Sequence, residues 1–232
     1  MSDIAQNLRR VLAQITAANP ALRSDAQYSA APRLVAVSKY MSAAAVRTCF
    51  EAGQHAFGEN YVQEAIEKQA LLGDLAIEWH LIGPLQSNKC AQVAAHFDWL
   101  QSLDRAKLIP PLARARSPLL PPLNVLIQVN IDDESTKSGC APRAVRGLAE
   151  LVAAEPTLCL RGLMVIGRPG AAEATFVAMA ELFTQLRAHF SVLNRANVQL
   201  DTLSMGMSGD FPLALAYGAN LVRVGSAIFG AR

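Results

Sequence analysis

The segment Leu34-Val35-Ala36-Val37-Ser38-Lys39 begins the repeating pattern that decides the fold. Four apolar residues in a row, two of them valine, are typical of a short strand that is buried on both faces. Lys39 follows at the carboxyl end of this strand. A lysine held there against apolar walls can lose its proton near neutral pH, because burial disfavours the ammonium form. Such an amine can form a Schiff base with an aldehyde; taken alone, a solvated loop lysine is the simpler interpretation.

The same alternation of an apolar run and an amphipathic segment recurs along the chain. Further strands are predicted at about residues 55–57, 78–82, 97–102, 123–130, 160–166, 200–203 and 220–224. Helices are predicted between them, and an additional amphipathic helix over 4–17 precedes the first strand. Eight strand-then-helix units, the last of them truncated, in a chain of 232 residues predict a (β/α)8 TIM barrel, an architecture that usually takes ~250 residues.

The main alternative to the barrel is an open, doubly wound α/β sheet. That fold typically carries a Gly-x-Gly-x-x-Gly motif after its first strand, and no such motif follows Lys39. Glycine and hydroxyl residues instead follow most of the predicted strands, whose ends meet on one face of a barrel. We therefore predict a single domain over 1–232, with 1–30 forming the N-terminal helix and its lead-in. The proline-rich stretch that begins at Pro110 is predicted to be a connector inside this domain.

Composition excludes several classes of protein. The chain is 52% hydrophobic and 17% charged with a net charge of +2, which favours a substantial core and argues against a nucleic-acid surface. The four cysteines are widely spaced, which predicts reduced, buried thiols in place of a zinc site or a disulfide framework. Neither a signal peptide nor an apolar run of transmembrane length is evident. We expect a cytoplasmic protein that binds neither membranes nor nucleic acid.

A second chemical element is the segment Ser204-Met205-Gly206-Met207-Ser208-Gly209-Asp210, between a predicted strand and a predicted helix. Glycine lets backbone N–H groups approach an anion, and the start of a helix adds a favourable dipole. The last strand is followed by Gly225-Ser226, which could add N–H groups, and barrels often bind phosphate after strands seven and eight. The two loops together predict a phosphate site, whereas either alone would be explained by tight turns and a helix cap at Ser208.

An amine after strand one and a phosphate site after strands seven and eight would face one ligand across the barrel mouth. That ligand would be an aldehyde that bears a phosphate. Pyridoxal 5'-phosphate (PLP) is the economical candidate, because it carries both groups on one ring. A sugar phosphate that forms a Schiff base is the competing candidate.

Several segments resemble the pyridoxal phosphate homeostasis family, whose members are similar to the N-terminal domain of alanine racemase. These segments are AVSK at 36–39, GENYVQE at 58–64, WHLIGPLQSNK at 79–89, QVN at 128–130, SG at 138–139, RGLM at 161–164, LSMGMS at 203–208 and VRVGSAIFGAR at 222–232. They span nearly the whole chain after the first helix, in order, and the third and the last two are the most specific. The resemblance implies an alanine racemase N-terminal-domain-like barrel.

The resemblance also implies roles for individual residues. Lys39 would hold PLP as a Schiff base, and Arg223 would face the pyridine nitrogen. The phosphate would be surrounded by Ser204, Met205, Gly206, Ser208, Gly225 and Ser226. Asn60, after strand two, could hold ring or substrate atoms, with a helix cap as the equal alternative. The chain departs from the family after Lys39, where relatives often have threonine and proline, so the resemblance does not define the shape of that loop.

The function implied by the resemblance is PLP binding in intracellular vitamin B6 homeostasis, with PLP buffered and passed to apo-enzymes by a cytosolic monomer without robust catalytic activity. Arginine keeps its proton in proteins, so a ring nitrogen facing Arg223 stays unprotonated and withdraws electrons weakly. The chain also stops at Arg232, without the added β-domain that supplies a second base in the related racemases. A PLP-dependent amino-acid racemase of narrow scope is the alternative function, and a Schiff-base aldolase is a third.

The other polar residues have simpler predicted roles. Glu64 and Lys68 are interpreted as an i,i+4 ion pair on a helix surface. Tyr40, Tyr61 and His80 could approach the site but are expected to be structural. Lys89 and Lys137 are interpreted as solvated loop lysines, with secondary basic sites at the barrel mouth as the alternative.

Overall fold

A computed structural model describes residues 3–18, 32–131, 138–167, 170–193 and 195–230. Eight parallel strands form a closed barrel in which each strand pairs with the next and the eighth pairs with the first. Their bounds are β1 Arg33–Val37, β2 Ala56–Glu59, β3 Glu78–Leu81, β4 Trp99–Leu103, β5 Leu123–Val129, β6 Leu158–Val165, β7 Val198–Ser204 and β8 Leu221–Val224. The predicted TIM barrel is confirmed. The open sheet is excluded, because it would leave two strands unpaired at its edges.

Helices cover the outside of the barrel. Their bounds are α1 Ile4–Ala17, α2 Ala43–Glu51, α3 Val62–Leu71, α4 Cys90–His96, α5 Ile109–Ala115, α6 Val145–Ala153, α7 Ala172–Ser191, α8 Phe211–Ala216 and α9 Ser226–Phe229. Short 3-10 turns at Ser87–Lys89, Ala106–Leu108 and Pro142–Ala144 lead into α4, α5 and α6. The eighth unit therefore ends in a helix of its own, α9, which the sequence pattern did not predict.

The N-terminal helix α1 packs against the outside of the barrel, as its amphipathic pattern predicts. The Asp3 side chain accepts a hydrogen bond from the Gln6 N–H at 3.1 Å and so caps the helix. Leu8 and Val11 on its apolar face are buried. The Asn7 side chain donates to the Ile228 carbonyl at 3.0 Å, which ties α1 to α9. The predicted lead-in up to residue 30 falls mostly outside the described residues.

The first two prolines of the proline-rich stretch lie at a helix end, one of the two positions that the sequence allowed, and not in the connector itself. Pro110 and Pro111 lie in the first turn of α5, where proline is tolerated because the leading N–H groups have no partner within the helix. The connector therefore starts at Arg116, which is buried. Its guanidinium donates to the carbonyls of Ala94 at 2.7 Å and Pro121 at 2.8 Å, so one cation holds the connector against α4.

Apolar side chains fill two separate regions. The main core lies between the outer faces of the strands and the helices. Inside the barrel, Trp99, Leu126 and Met164 form one apolar cluster, and Val35, Ala56 and Leu221 form another. Strand side chains alternate with a period of two. The inward-facing positions that follow these two clusters, two residues further along each strand, therefore lie closer to the barrel mouth.

All four cysteines are buried free thiols, which confirms the predicted burial. Burial raises the pKa of Cys49 to about 12 and that of Cys140 to about 11, so these thiols stay protonated near neutral pH.

Across the described part of the chain, no helix combines the length and the apolar character that a membrane crossing requires.

Candidate functional site

A cavity of about 510 Å³ opens where the carboxyl ends of the strands meet. Lys39 lies on its wall, two residues beyond Val37 at the end of β1, and is half-buried. Arg223 of β8 lies on the same wall. The full lining comprises Val37, Lys39, Met41, Asn60, Ile82, Ile166, Met207, Ser208, Gly209, Arg223, Gly225, Ser226, Phe229 and Gly230. The predicted amine and the loops after β7 and β8 therefore converge on one space.

The loops after β7 and β8 are joined to each other directly. The N–H of Gly225 donates to the Ser208 hydroxyl oxygen at 3.3 Å, and the N–H of Arg223 donates to the Gly206 carbonyl at 3.1 Å. Ser208 therefore links two loops, and the N-cap position of α8 belongs to Asp210. A Cβ at Gly225 would lie 3.2 Å from the Val37 carbonyl oxygen, so glycine lets the β8 loop lie close against the end of β1.

Arg223 lines this cavity and is buried. Its Nη1 donates to the Ser204 hydroxyl at 2.5 Å, and its Nη2 donates to the Val165 carbonyl at 2.7 Å. Burial lowers the pKa of Arg223 to about 10, which still leaves the guanidinium protonated near neutral pH. The two hydrogen bonds fix the plane of the guanidinium, because Nη1 and Nη2 are held by different strands.

A chain of hydrogen bonds runs from Arg223 through the inside of the barrel to its opposite end. The Ser204 hydroxyl that accepts from Arg223 donates to Gln101 Oε1 at 2.7 Å. Gln101 Nε2 lies 2.9 Å from His80 Nδ1, and His80 Nε2 lies 2.7 Å from Glu78 Oε1. The chain therefore joins four strands, β8, β7, β4 and β3.

The protonation states of His80 and Glu78 determine which atom donates and which accepts in each of these hydrogen bonds. Burial lowers the pKa of His80 and outweighs the neighbouring carboxylate, so the imidazole is neutral. Burial alone would raise the pKa of Glu78, but the hydrogen bond from His80 and the positive charge of Arg33, whose Nη2 lies 2.5 Å away, hold it below its ordinary value. Nε2 of His80 therefore donates to Glu78, and Nδ1 accepts from Gln101. Every donor in the chain then points away from Arg223.

Gln101→Met tests this chain of hydrogen bonds. It removes the amide oxygen and nitrogen from the middle of the hydrogen-bond chain and leaves a side chain of similar volume. The Ser204 hydroxyl proton and His80 Nδ1 lose their partners, and each unpaired buried group costs about 1–3 kcal/mol of unfolding free energy. Urea denaturation measures the loss. Gln69→Met is the control, since Gln69 donates to the His96 carbonyl at a partly exposed position. Similar losses in the two variants would contradict the importance of the buried chain.

The predicted site residues occupy two layers. Lys39, Asn60, Ser208, Arg223, Gly225 and Ser226 line the cavity. Ser204, Met205 and Gly206 are buried behind that wall, where they support the β7 loop and the Arg223 guanidinium. Asn60 also lines an adjoining recess of about 130 Å³, together with Gln128 and Asn130.

Sequence analysis missed the apolar part of the wall. Ile82 and Ile166 follow β3 and β6 directly and line the cavity, as does Met207 of the β7 loop. The available signal was their position, because the residues that follow barrel strands lie at the mouth. They were overlooked because an apolar residue after an apolar strand resembles its continuation.

The other candidates among the described residues lie away from the cavity wall. His80 is structural, as predicted, while Tyr40 and Tyr61 are exposed and joined by a hydrogen bond of 2.6 Å between their hydroxyls. Lys89 is half-buried at the end of the turn before α4, and Lys137 lies outside the described residues. Within the described ranges, no group of three or more His, Cys, Asp or Glu residues is arranged to hold a metal ion.

Comparison with known proteins agrees with this geometry. The family described as alanine racemase, N-terminal domain, matches residues 12–232. The chain is 50% identical to the pyridoxal phosphate homeostasis protein of Pseudomonas aeruginosa, covering 100% of this chain and 97% of that one. It is 46% identical to the Escherichia coli K12 protein of the same name, covering 100% and 98%.

A solved structure shows the same fold at high coverage. PipY of Synechococcus elongatus, determined with PLP bound, superposes with a TM-score of 0.82 at 36% identity. The match covers 98% of this chain and 100% of PipY. The family match, the identities and the near-complete coverage agree, so this chain belongs to the pyridoxal phosphate homeostasis protein family, whose barrel is that of the alanine racemase N-terminal domain.

Proposed function

We propose that this protein binds PLP on Lys39 and acts in intracellular PLP homeostasis, by buffering the cofactor and delivering it to apo-enzymes. The observation that carries the proposal is the convergence of Lys39 and the β7 and β8 loops on one cavity. The relatives from Pseudomonas aeruginosa and Escherichia coli are named for PLP homeostasis, and PipY was solved with PLP bound. Monomeric state and cytoplasmic location stay predictions.

The residues of the cavity fit the chemistry of PLP, which supplies a reactive aldehyde and a phosphate on an aromatic ring. A volume of about 510 Å³ lies within the range of about 300–1,000 Å³ that is usual for small-ligand pockets. The apolar side chains of Val37, Ile82 and Ile166 form walls that suit a flat ring. Lys39 supplies the amine for a Schiff base with the aldehyde.

The phosphate is assigned to Ser208, Gly225 and Ser226. The first turn of α9 begins at Ser226, and the leading N–H groups of a helix have no acceptor within it. Because α8 and α9 are short, hydroxyls and backbone N–H groups contribute more here than a helix dipole. In this proposal Ser204, Met205 and Gly206 act by holding the loop in place.

The arginine favours carriage of the cofactor over catalysis. Arg223 stays protonated, so it can only donate to the ring nitrogen that it is proposed to face. A nitrogen that accepts this hydrogen bond carries no proton and is a weak electron sink. Racemisation also needs a second base opposite the lysine, and the ionisable side chains among the described lining residues are Lys39 and Arg223. These observations favour PLP carriage over the racemase alternative.

The visible spectrum of the purified protein tests the proposal. We expect a yellow protein whose visible band disappears on borohydride reduction, with the added mass on a peptide that contains Lys39. We also expect PLP to pass from the protein to an apo-enzyme, without turnover of free amino acids. A colourless protein that takes up no added PLP would refute cofactor binding. Steady production of a D-amino acid would establish the racemase alternative instead.

A further inference from the structure

Three ionisable side chains lie together on the outer side of the barrel wall, directly behind Lys39, and two of them are buried. Glu59 ends β2 and is 0% exposed, and Lys68 of α3 is 6% exposed. Glu64, one turn earlier on α3, completes what we call the Lys68 cluster. The predicted ion pair between Glu64 and Lys68 is confirmed, with Lys68 Nζ 2.7 Å from Glu64 Oε1. The prediction that this pair lies on the helix surface was wrong, because Lys68 is buried.

Lys68 has three N–H donors, and each has an acceptor. Its Nζ lies 2.7 Å from Glu59 Oε1, 2.7 Å from Glu64 Oε1 and 2.6 Å from the carbonyl oxygen of Ser38. The Ser38 hydroxyl also donates to Glu59 Oε1, at 2.6 Å. The cluster therefore holds the peptide group that leads into Lys39 by both its carbonyl and the adjoining side chain.

The cluster also holds the peptide group that follows Lys39. Glu64 Oε1 accepts a hydrogen bond from the N–H of Tyr40. The N–H of Met41 donates to the Ser38 carbonyl at 2.9 Å, so Ser38 to Met41 form a tight turn with Lys39 as its second residue. In this turn Tyr40 has a φ of +64°.

That turn is unfavourable without outside support. A non-glycine residue in the left-handed region is uncommon, and such a conformation persists where surrounding contacts determine it. Burying charges between a strand and a helix is also costly unless their hydrogen bonds are satisfied. Lys68 meets that requirement for its own three donors, and the cluster gives partners to the Ser38 carbonyl and the Tyr40 N–H, while Glu59 Oε2 is buried without a hydrogen-bond partner. An apolar contact could fill the same space, but it could not fix the direction of a backbone carbonyl.

We propose that Lys68, with Glu59 and Glu64, is a positioning residue for Lys39: the cluster holds the strained turn that points the Lys39 amine into the cavity. The cluster does not contact the cavity, since none of its members is among the residues lining it. It acts by keeping the turn in one conformation before the ligand arrives, which removes an ordering cost from binding. This inference rests on the proposed attachment of PLP to Lys39.

Lys68→Met tests the inference against a matched control, Gln54→Met. Gln54 is also buried, and its Nε2 donates to the carbonyls of Leu34 at 2.8 Å and Ala56 at 2.7 Å. It therefore ties β1 to β2 at the amino ends of both strands, away from Lys39. We expect Lys68→Met to weaken PLP binding at least about tenfold, which equals about 1.4 kcal/mol. Gln54→Met should bind PLP like the wild type. Lys68→Arg, which keeps the charge and the donors, should recover part of the affinity.

Amide hydrogen exchange in the cofactor-free protein gives a readout that does not depend on PLP. Exchange at Tyr40 and Met41 should accelerate in Lys68→Met and stay unchanged in Gln54→Met. If Lys68→Met does not fold, Glu64→Ala removes the acceptor for Tyr40 at a half-exposed position and gives the same comparison.

Equal effects of the variant and its control on binding, or unchanged exchange at Tyr40, would overturn the positioning role. Failure of the wild type to attach PLP at Lys39 would refute the proposed function, while the exchange experiment would still decide whether the cluster holds the turn.

Discussion

Lys39→Ala is expected to abolish the covalent attachment of PLP. Lys39 is the one lysine among the described residues that line the cavity, so its removal leaves the aldehyde without a primary amine on that wall. The purified variant should be colourless, and borohydride should add no mass to it. The substitution leaves the β7 and β8 loops, to which we assign the phosphate, unchanged, so weak reversible binding of PLP should persist. Absorbance spectra and intact mass measure these two effects.

Lys89→Ala serves as the control for this experiment. Lys89 is also half-buried and follows a barrel strand, but it does not line the cavity. This variant should retain its colour and its borohydride adduct. A yellow Lys39→Ala protein, or an adduct located on another side chain in the wild type, would contradict the assignment of Lys39.

Gly206→Ala is expected to cause a large loss of both stability and phosphate binding. Gly206 has a φ of +91°, and a Cβ there would lie 2.6 Å from the Ala214 Cβ and 2.9 Å from the Phe211 Cα. The left-handed backbone costs a non-glycine residue about 1–2 kcal/mol, and overpacking a buried site typically costs about 1–3 kcal/mol. To relieve the contacts the loop must move away from α8, which separates Ser208 from Gly225. Urea denaturation and titration with inorganic phosphate measure the two losses.

Gly209→Ala in the same loop is the matched control. A Cβ at Gly209 meets nothing within 4 Å, and its φ lies outside the left-handed range. Its unfolding free energy should stay within about 0.5 kcal/mol of the wild type, as for surface substitutions in general. If the two alanine variants lost stability equally, the close packing of Gly206 against α8 would not be the cause.

Local sequence pattern was sufficient to predict the strand order and the two loops of the candidate site. Each strand is a short apolar run, and the order of runs and helices leaves few topologies open. The positions of Lys39, Ser208 and Gly225 follow from that order, because residues after barrel strands lie on one face. Strand starts were less accurate: β6 and β7 each begin two residues before their predicted starts, at Leu158 and Val198. Edge residues of a strand have no periodic signal of their own.

The sequence by itself determined the barrel, the amine after β1 and the glycine-containing loops after β7 and β8, because these depend on the order of short apolar runs and on residues that end them. Only the tertiary structure decided how these groups are held. Ser204 and Gln101, which share a hydrogen bond, are 103 residues apart in sequence. Lys68 was predicted to be a surface lysine because its spacing from Glu64 is that of an ordinary helix pair. Its burial depends on the Ser38 carbonyl and Glu59, which approach it only after β1 and β2 have paired and α3 has packed against them.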